Sequence, residues 1–543
     1  MTGNTSTNTN TIANVTNDQL PPPDMLGLPY NTWRPNQSQA VEDAIDSPYR
    51  VTAQVCPTGF GKSLMYMATA LLQGGRTVIL TSTKALQSQL LNDFSEHIVD
   101  IRGRNAYNCN FMDSPWVTAE DGPCKAGLHC MLKDMGECDY YNRLEEARSA
   151  DIVVTNYACW MSLNKYTDEG LGHFDTIVCD EAHNATRAVE AFISIEFDKK
   201  RSKLAQELLP IEGLLSMSNK AWGLWASTTL DRLDFDIDEL KSALKVESGN
   251  RKLQRKYRQY NNMQRDVAAL SRIDDTWVVD ISTDLERLTF SPLWAARYCE
   301  AYLFCGVSKV ILTSAFICAK TAEMLGVPYS DYKLLEYPHS FPLANRRVTH
   351  IPTVRMNWRT DNAGLRLWVS RIDQIIGQRL DRKGIVHTTS YKRRDFLMAN
   401  SRYRDAMMSH AKRDTFDKVE AFKRSKAPKV LISPSITTGY DFPYDTCEFQ
   451  IIGKLSYPDG RNKITKARMK ADKDYGAYIA MQELVQAAGR GVRASDDHCE
   501  TFIIDDNITW FMGRHREFAP AWFMQAYQKA VTIPRPPVAM GKG

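Results

Sequence analysis

The run Cys56-Pro57-Thr58-Gly59-Phe60-Gly61-Lys62-Ser63 is a glycine-bearing loop that ends in a lysine and a hydroxyl. Gly59 and Gly61 let backbone N–H groups turn inward around a phosphate, and a following helix adds the positive end of its dipole. Lys62 would reach the β- and γ-phosphates of a nucleotide. The Ser63 hydroxyl would bind Mg2+, with Thr58 in the same nucleotide-binding set. The strict form of this loop has glycine five residues before Gly61, where this chain has Cys56. The flanking pattern, an apolar strand before and a helical run after, favours the phosphate reading over a plain turn.

Two further constellations suit the same chemistry. The apolar run Phe174–Cys179 ends in Asp180-Glu181-Ala182-His183. A carboxylate at the end of a neighbouring strand can hold the same Mg2+, which is the part assigned to Asp180. Glu181, one residue on, can orient and deprotonate a water. Far along the chain lies Gln486-Ala487-Ala488-Gly489-Arg490-Gly491-Val492-Arg493. Arg490 and Arg493 stand at i and i+3 and are expected to share a helix face. Two guanidiniums there suit a γ-phosphate whose charge moves in the transition state. Their distance from the loop implies a second domain reaching over the nucleotide. A turn, a helix cap and a solvated basic face are the bland alternatives, and agreement among the three disfavours them.

A different chemistry is suggested by Cys109, Cys124, Cys130 and Cys138, which crowd into one polar stretch. No Cys-x-x-Cys pair occurs among them, which disfavours a small zinc ribbon. Four thiolates suit a 4Fe-4S cluster, and zinc stays open because it also takes four sulfurs. His129, beside Cys130, reads as a surface histidine. Cys56, Cys159, Cys179, Cys299, Cys305, Cys318, Cys447 and Cys499 read as small packed hydrophobes.

The elements that must position these groups alternate. Apolar runs at 49–55, 77–80, 151–155, 176–179, 309–312, 384–387, 429–432, 448–452 and 501–504 read as buried parallel strands. Helical patterns between them make this an α/β chain. Residues 100–146 carry the four cysteines and few strand signals. Residues 187–290 look mostly helical, with Leu230, Leu233, Ile237, Leu240 and Leu244 forming a stripe at steps of three and four. The ends differ: residues 1–23 are polar, close on three prolines and are expected to be disordered. A proline-bearing tail, 532–543, is expected to lack regular structure.

Composition agrees. The chain has 543 residues, a soft prior of about three to four domains. With 68 Lys+Arg against 64 Asp+Glu its net charge is +4, which excludes a polybasic coat. Twelve cysteines are too few for a disulfide scaffold. Neither a signal peptide nor an apolar run long enough to span a membrane is visible, so a reduced, cytoplasmic protein is expected.

Taken in order, the motifs resemble a superfamily 2 helicase over most of residues 34–506. Arg34-Pro35-Asn36-Gln37 resembles the adenine-reading segment before the phosphate loop. Thr81–Lys84, with Leu86 and Gln87, resembles motif Ia, which lines the nucleic-acid track. Asp151–Tyr157 resembles a strand-end motif, Thr313-Ser314-Ala315-Phe316 motif III, Ser433–Phe442 motif V and Gln486–Arg493 motif VI. Motif III usually reads Ser-Ala-Thr, and Phe316 departs from it, which puts coupling of hydrolysis to strand movement in doubt. Gly103–Cys109 is similar to the lead-in to the first cluster cysteine of XPD/DinG-type iron–sulfur DNA helicases, which also carry a helical arch.

That resemblance implies two RecA-like parallel-sheet domains, 24–335 and 336–531, the first with an iron–sulfur insertion at 100–146 and an arch at 187–290. It implies ATP, Mg2+ and a 4Fe-4S cluster held by Cys109, Cys124, Cys130 and Cys138. Lys62, Glu181, Gln486, Arg490 and Arg493 carry over as catalytic. Arg34, Gln37, Thr58, Gly59, Gly61, Lys62, Ser63, Asp180, His183, Gly439 and Asp441 carry over as nucleotide-binding. Single-stranded DNA and duplex junctions are the implied partners, with 5′→3′ movement, in a prokaryotic or phage-infected cytoplasm. An RNA helicase and a remodelling module that does not unwind are the rivals. Three basic clusters could meet the strand: Lys199–Lys203, Arg251–Arg258 with Tyr257 and Tyr260, and Lys392–Arg394.

Overall fold

The computed structural model describes residues 20–112, 116–167, 169–210, 213–247, 250–434, 440 and 442–536. All nine apolar runs form strands. They are apolar throughout because both faces of each strand are covered: Val51–Val55, Thr77–Thr81, Thr176–Asp180 and Lys383–His387 are buried at every position.

Among the described residues two seven-stranded sheets result, each pairing only in parallel. The first runs Tyr332–Glu336, Val51–Val55, Lys309–Ser314, Thr176–Asp180, Thr77–Thr81, Ile152–Asn156, Val99–Asp100. The second runs Met407–Ser409, Lys429–Ser433, Lys383–His387, Phe449–Ile452, Glu500–Asp505, Val348–Val354, Tyr527–Lys529. These are the two RecA-like domains. Four of the five strands not visible in the sequence lie at sheet edges, where one flank is open and an apolar run is not required.

Between Ile195 and Pro292 the chain leaves the first sheet. Helices Asn219–Val246 and Arg251–Leu270 pack as an antiparallel pair, capped by the side chains of Ser218 and Asn250. The predicted stripe faces inward, with Leu233, Ile237, Leu240 and Leu244 buried. Each contributes roughly 1.5–3 kcal/mol by leaving water. The segment is not purely helical, however. Ile195–Asp198, Arg287–Pro292 and Trp277–Ile281 form an antiparallel sheet under the helices. Their alternating burial, Ile195 and Phe197 in and Glu196 out, was too short a pattern to stand out.

Two expectations are corrected. Leu20–Pro23 is not disordered: Pro23 is buried and Trp33 Nε1 donates to Pro21 O at 3.1 Å. Residues 1–19 and 537–543 lie outside the described residues. Cys305 is exposed rather than packed, while the other seven scattered cysteines are buried. Among the described residues, no helix is long and apolar enough to cross a membrane.

Candidate functional site

Strand Val51–Val55 delivers the glycine loop, and helix Lys62–Gln73 starts directly after it. Gly59 and Gly61 have φ of +76° and +82°, where a side chain is strained. Space excludes one as well. A Cβ on Gly61 would stand 2.2 Å from Gln37 Nε2, and one on Gly59 2.3 Å from the Phe341 ring. Gln37 is buried and donates to Phe60 O at 2.7 Å and Gly61 O at 3.2 Å. Arg34 Nη1 donates to Gly59 O at 2.7 Å. The segment expected to read adenine therefore also clamps the loop's backbone.

Strand Thr176–Asp180 brings the acidic pair alongside. Glu181 takes a left-handed conformation, φ +50°. Such strain in a non-glycine residue persists only where surroundings enforce it. Its carboxylate faces Lys62, with Nζ to Oε1 at 3.1 Å. Burial works against the Lys62 ammonium, but Glu181 and then Asp180 outweigh it and hold its pKa up at about 12. Burial also opposes the Glu181 charge, and Lys62 wins again, so Glu181 stays low. Asp180 is pushed up by burial and by the adjacent Glu181 charge. The two carboxyls thus divide: burial and Glu181 disfavour the Asp180 charge, while Lys62 favours the Glu181 charge.

His183 Nδ1 lies 2.7 Å from Ser314 Oγ and 3.5 Å from Gln486 Nε2. Ser314 Oγ in turn donates to Glu181 Oε2 at 3.3 Å. Burial lowers the His183 pKa to about 4, so the ring is neutral. This places the Asp180–His183 box, motif III and motif VI in one polar chain that crosses between the domains. Tyr66 was not singled out by sequence. Its hydroxyl donates to Ser63 Oγ at 3.3 Å, and burial, then Asp180, raises its pKa. Its place at i+3 from Ser63 on the same helix was a readable signal.

Arg490 and Arg493 do come to the loop, but not on a helix face. Helix Tyr475–Ala488 stops at Gly489; Arg490 follows in a turn and Arg493 in the irregular stretch after it. Gly489 and Gly491 are required by contact: a Cβ on Gly489 would meet Thr58 Cγ2 at 2.8 Å, and one on Gly491 would meet Cys499 Sγ at 2.2 Å. Arg490 donates to Tyr440 O, and its charge acts on both Glu181 and His183. Arg493 O lies 3.5 Å from the Cβ position of Gly59, so this stretch sits against the loop. Thr438, Gly439 and Asp441 lie outside the described residues.

Phe316 is fully buried and packs on Tyr478 at 5.6 Å between centroids, across the domain boundary. Gln87 is buried and donates to Ile101 O at 2.9 Å, so it ties its helix to the cysteine segment rather than lining a track. Within that segment, Cys109 and Cys124 meet over Gly122: a Cβ there would stand 3.0 and 3.5 Å from their sulfurs. Burial, with Cys124 and Cys130 also nearby, holds the Cys109 thiol up. Arg104 Nη1 donates to Cys124 Sγ at 3.6 Å. Cys138 immediately precedes helix Asp139–Ser149, with no side-chain bond to its first turn. Among the described residues, no three His, Cys, Asp or Glu side chains are gathered closely enough to hold a metal ion. His129 is exposed and pairs with Asp134 at 2.7 Å.

Two parallel-sheet domains closing a phosphate loop, an acidic pair and arginines between them define a nucleotide-driven motor. Residues 34–196 match the family model for the DEAD/DEAH box helicase, and residues 376–525 that for the helicase C-terminal domain. These domains mark an ATP-dependent helicase. Among solved structures the chain is similar to an XPD helicase at a TM-score of 0.61 and 15% identity, covering 91% of this chain and 98% of that one. It is similar to apo XPD at 0.56 and 15%, covering 91% and 99%. It is also similar to Xpd4 of S. tokodaii at 0.56 and 13%, covering 92% and 100%. In fold the chain is XPD-like, and its two motor domains match helicase family models. No curated protein matches its sequence.

Proposed function

We propose that this protein is a DNA helicase that moves 5′→3′ on single-stranded DNA and opens duplex junctions, using ATP hydrolysed between its two domains. The observation that carries the motor reading is the Lys62–Glu181 pair at 3.1 Å, with Arg490 acting on it from the second domain. In this reading Lys62 turns from Glu181 to the β/γ-phosphates. Glu181 takes a proton from the water that attacks the γ-phosphorus. ADP leaves with the electrons of the broken P–O bond, and Arg490 and Arg493 neutralise the charge that develops. Gln486 and His183 report the reaction across the boundary, and Arg34, Gln37, Thr58, Gly59 and Gly61 shape the pocket. Ser63 and Asp180 would hold Mg2+, which supplies positive charge to the phosphates. Tyr66, between them, keeps both oriented.

The cysteine segment is read as an iron–sulfur domain. The approach of the Cys109 and Cys124 sulfurs to Gly122, with Cys130 acting on Cys109, supports that reading. Cys109, Cys124, Cys130 and Cys138 would hold a 4Fe-4S cluster, which would stiffen a stretch with few regular elements. This insertion, together with the XPD-like fold, favours DNA over RNA. Twelve free thiols fit a reducing cytoplasm. Unwinding of DNA and RNA duplexes with matched 5′ or 3′ overhangs tests the reading. Opening of DNA from a 5′ overhang is expected; RNA-only opening, or none with ATP turnover intact, would refute it. Brown protein containing iron supports the cluster, and colourless protein with zinc overturns it.

A further inference from the structure

Trp358 is 82% exposed, an unusual state for so large a ring. It does not hang on a loose loop. The turn Arg355–Thr360 follows strand Val348–Val354 and is fastened at several points. Met356 N donates to Asp505 Oδ1 at 3.0 Å, and Asn507 Nδ2 donates to Met356 O at 3.1 Å. Asn357 N donates to Thr360 Oγ1 at 2.9 Å, and Arg359 N to Asn357 Oδ1 at 2.7 Å. The Arg359 guanidinium lies 4.5 Å from the Trp358 ring centre. A rigid frame thus holds an indole out in water, with a cation on it. The core beneath is completed by Met356, so packing does not explain Trp358.

Its surroundings identify an occupant. All strands of this sheet are parallel, so Trp358 stands at the same edge as the segment after Lys383–His387. That segment holds the basic cluster Lys392–Arg394 noted in the sequence. The two are joined: Arg393 Nη2 donates to Asn357 O at 3.2 Å. Lys454 follows strand Phe449–Ile452 at the same edge, and Asp505, which holds Met356, also accepts from Leu455 N at 3.0 Å. A positive strip with a flat, exposed aromatic is the combination that single-stranded nucleic acid uses, phosphates on cations and a base on a ring face.

We propose that Trp358 is a base-stacking post for single-stranded nucleic acid on the second motor domain, with Arg359 and Arg393 beside it for the phosphates. This rests on the helicase reading and adds a specific contact to it. The test is binding of a fluorescent oligo-dT strand by the full chain, wild type and Trp358→Ala, over a salt series. Loss of one stacked base should weaken binding about tenfold without changing the salt slope. Trp358→Phe should recover most of it. Because the ring is exposed, thermal stability should not move. Arg359→Ala should instead flatten the salt slope. Equal binding by wild type and Trp358→Ala overturns the post alone. A wild-type protein that binds no single strand overturns the helicase reading and the post together.

Discussion

Replacing Glu181 by glutamine should separate nucleotide binding from hydrolysis. The geometry fixes both halves of this expectation. Glu181 faces Lys62 at 3.1 Å, His183 at 3.3 Å and Ser314 at 3.3 Å. Glutamine keeps the shape: its one oxygen can accept from Lys62, and its amide NH2 can donate to the Ser314 hydroxyl oxygen. It loses the charge and the ability to take a proton. Loss of a general base costs roughly 10²–10⁴-fold in turnover. Binding should move the other way. Before Lys62 can reach a phosphate it must leave Glu181, and a charge-assisted hydrogen bond of this kind is worth about 1.5–3 kcal/mol. Glu181→Gln weakens that competitor, so ATP should bind as well as in the wild type or up to about tenfold tighter. Steady-state ATP turnover with a single strand present reads the first effect. Equilibrium titration with a fluorescent ATP analogue reads the second. Turnover within fivefold of wild type, or loss of nucleotide binding, would show that Glu181 does not hold this place in the cycle.

Three further outcomes follow from contacts elsewhere. Gly491→Ala puts a methyl 2.2 Å from Cys499 Sγ with no strain in φ to confuse the result, so overpacking of about 1–3 kcal/mol should lower the melting temperature and displace the neighbouring Arg490; an unchanged melt and ATPase would count against that packing. Burial, above all other causes, lowers the pKa of His387 to about 4 from the ordinary 6.5. The unfolded chain therefore binds the proton more readily, and stability that is full above pH 6.5 is lost as pH falls toward 4, by up to ~3 kcal/mol at 1.36 kcal/mol per pH unit. His387→Gln should flatten this acid-side decline in thermal melts. Gly122→Ala brings a methyl 3.0 Å from Cys109 Sγ and should lower the iron content per chain, measured after anaerobic purification; iron loading equal to wild type would remove the argument that the space over Gly122 belongs to a cluster.

Much of the site was legible because its residues sit at strand ends, where an apolar run breaks sharply into glycine or acid. Lys62, Asp180 and Glu181 could be placed for that reason. What stayed hidden depends on contacts between distant segments. Phe341 covers Gly59 from far along the chain, and no local pattern marks it. The two arginines were expected on a helix, but Gly489 ends it, a glycine signal that the i, i+3 spacing obscured. Gln87 looked like a track residue, yet it is buried and spends its amide on Ile101. The small antiparallel sheet at Ile195, Trp277 and Arg287 was masked by the longer helical periodicity between its strands.

The departure at Phe316 can now be weighed physically. A hydroxyl at that position would lie in a site with no solvent access and would need a buried partner. Phenylalanine needs none, and it meets Tyr478 on the helix that leads to Gln486 and Arg490. The polar link runs separately, from Glu181 through Ser314 to His183 and Gln486. Tyr478 is itself fixed, its hydroxyl 3.1 Å from Thr321 Oγ1 just beyond motif III. A change at Glu181 therefore meets the second domain by two routes, one of hydrogen bonds and one of packed rings. Because packed interiors shift between discrete arrangements rather than deforming smoothly, the ring contact can carry motion as firmly as a hydroxyl would. Where threonine would bring a hydroxyl, Phe316 thus brings a packed ring contact to Tyr478.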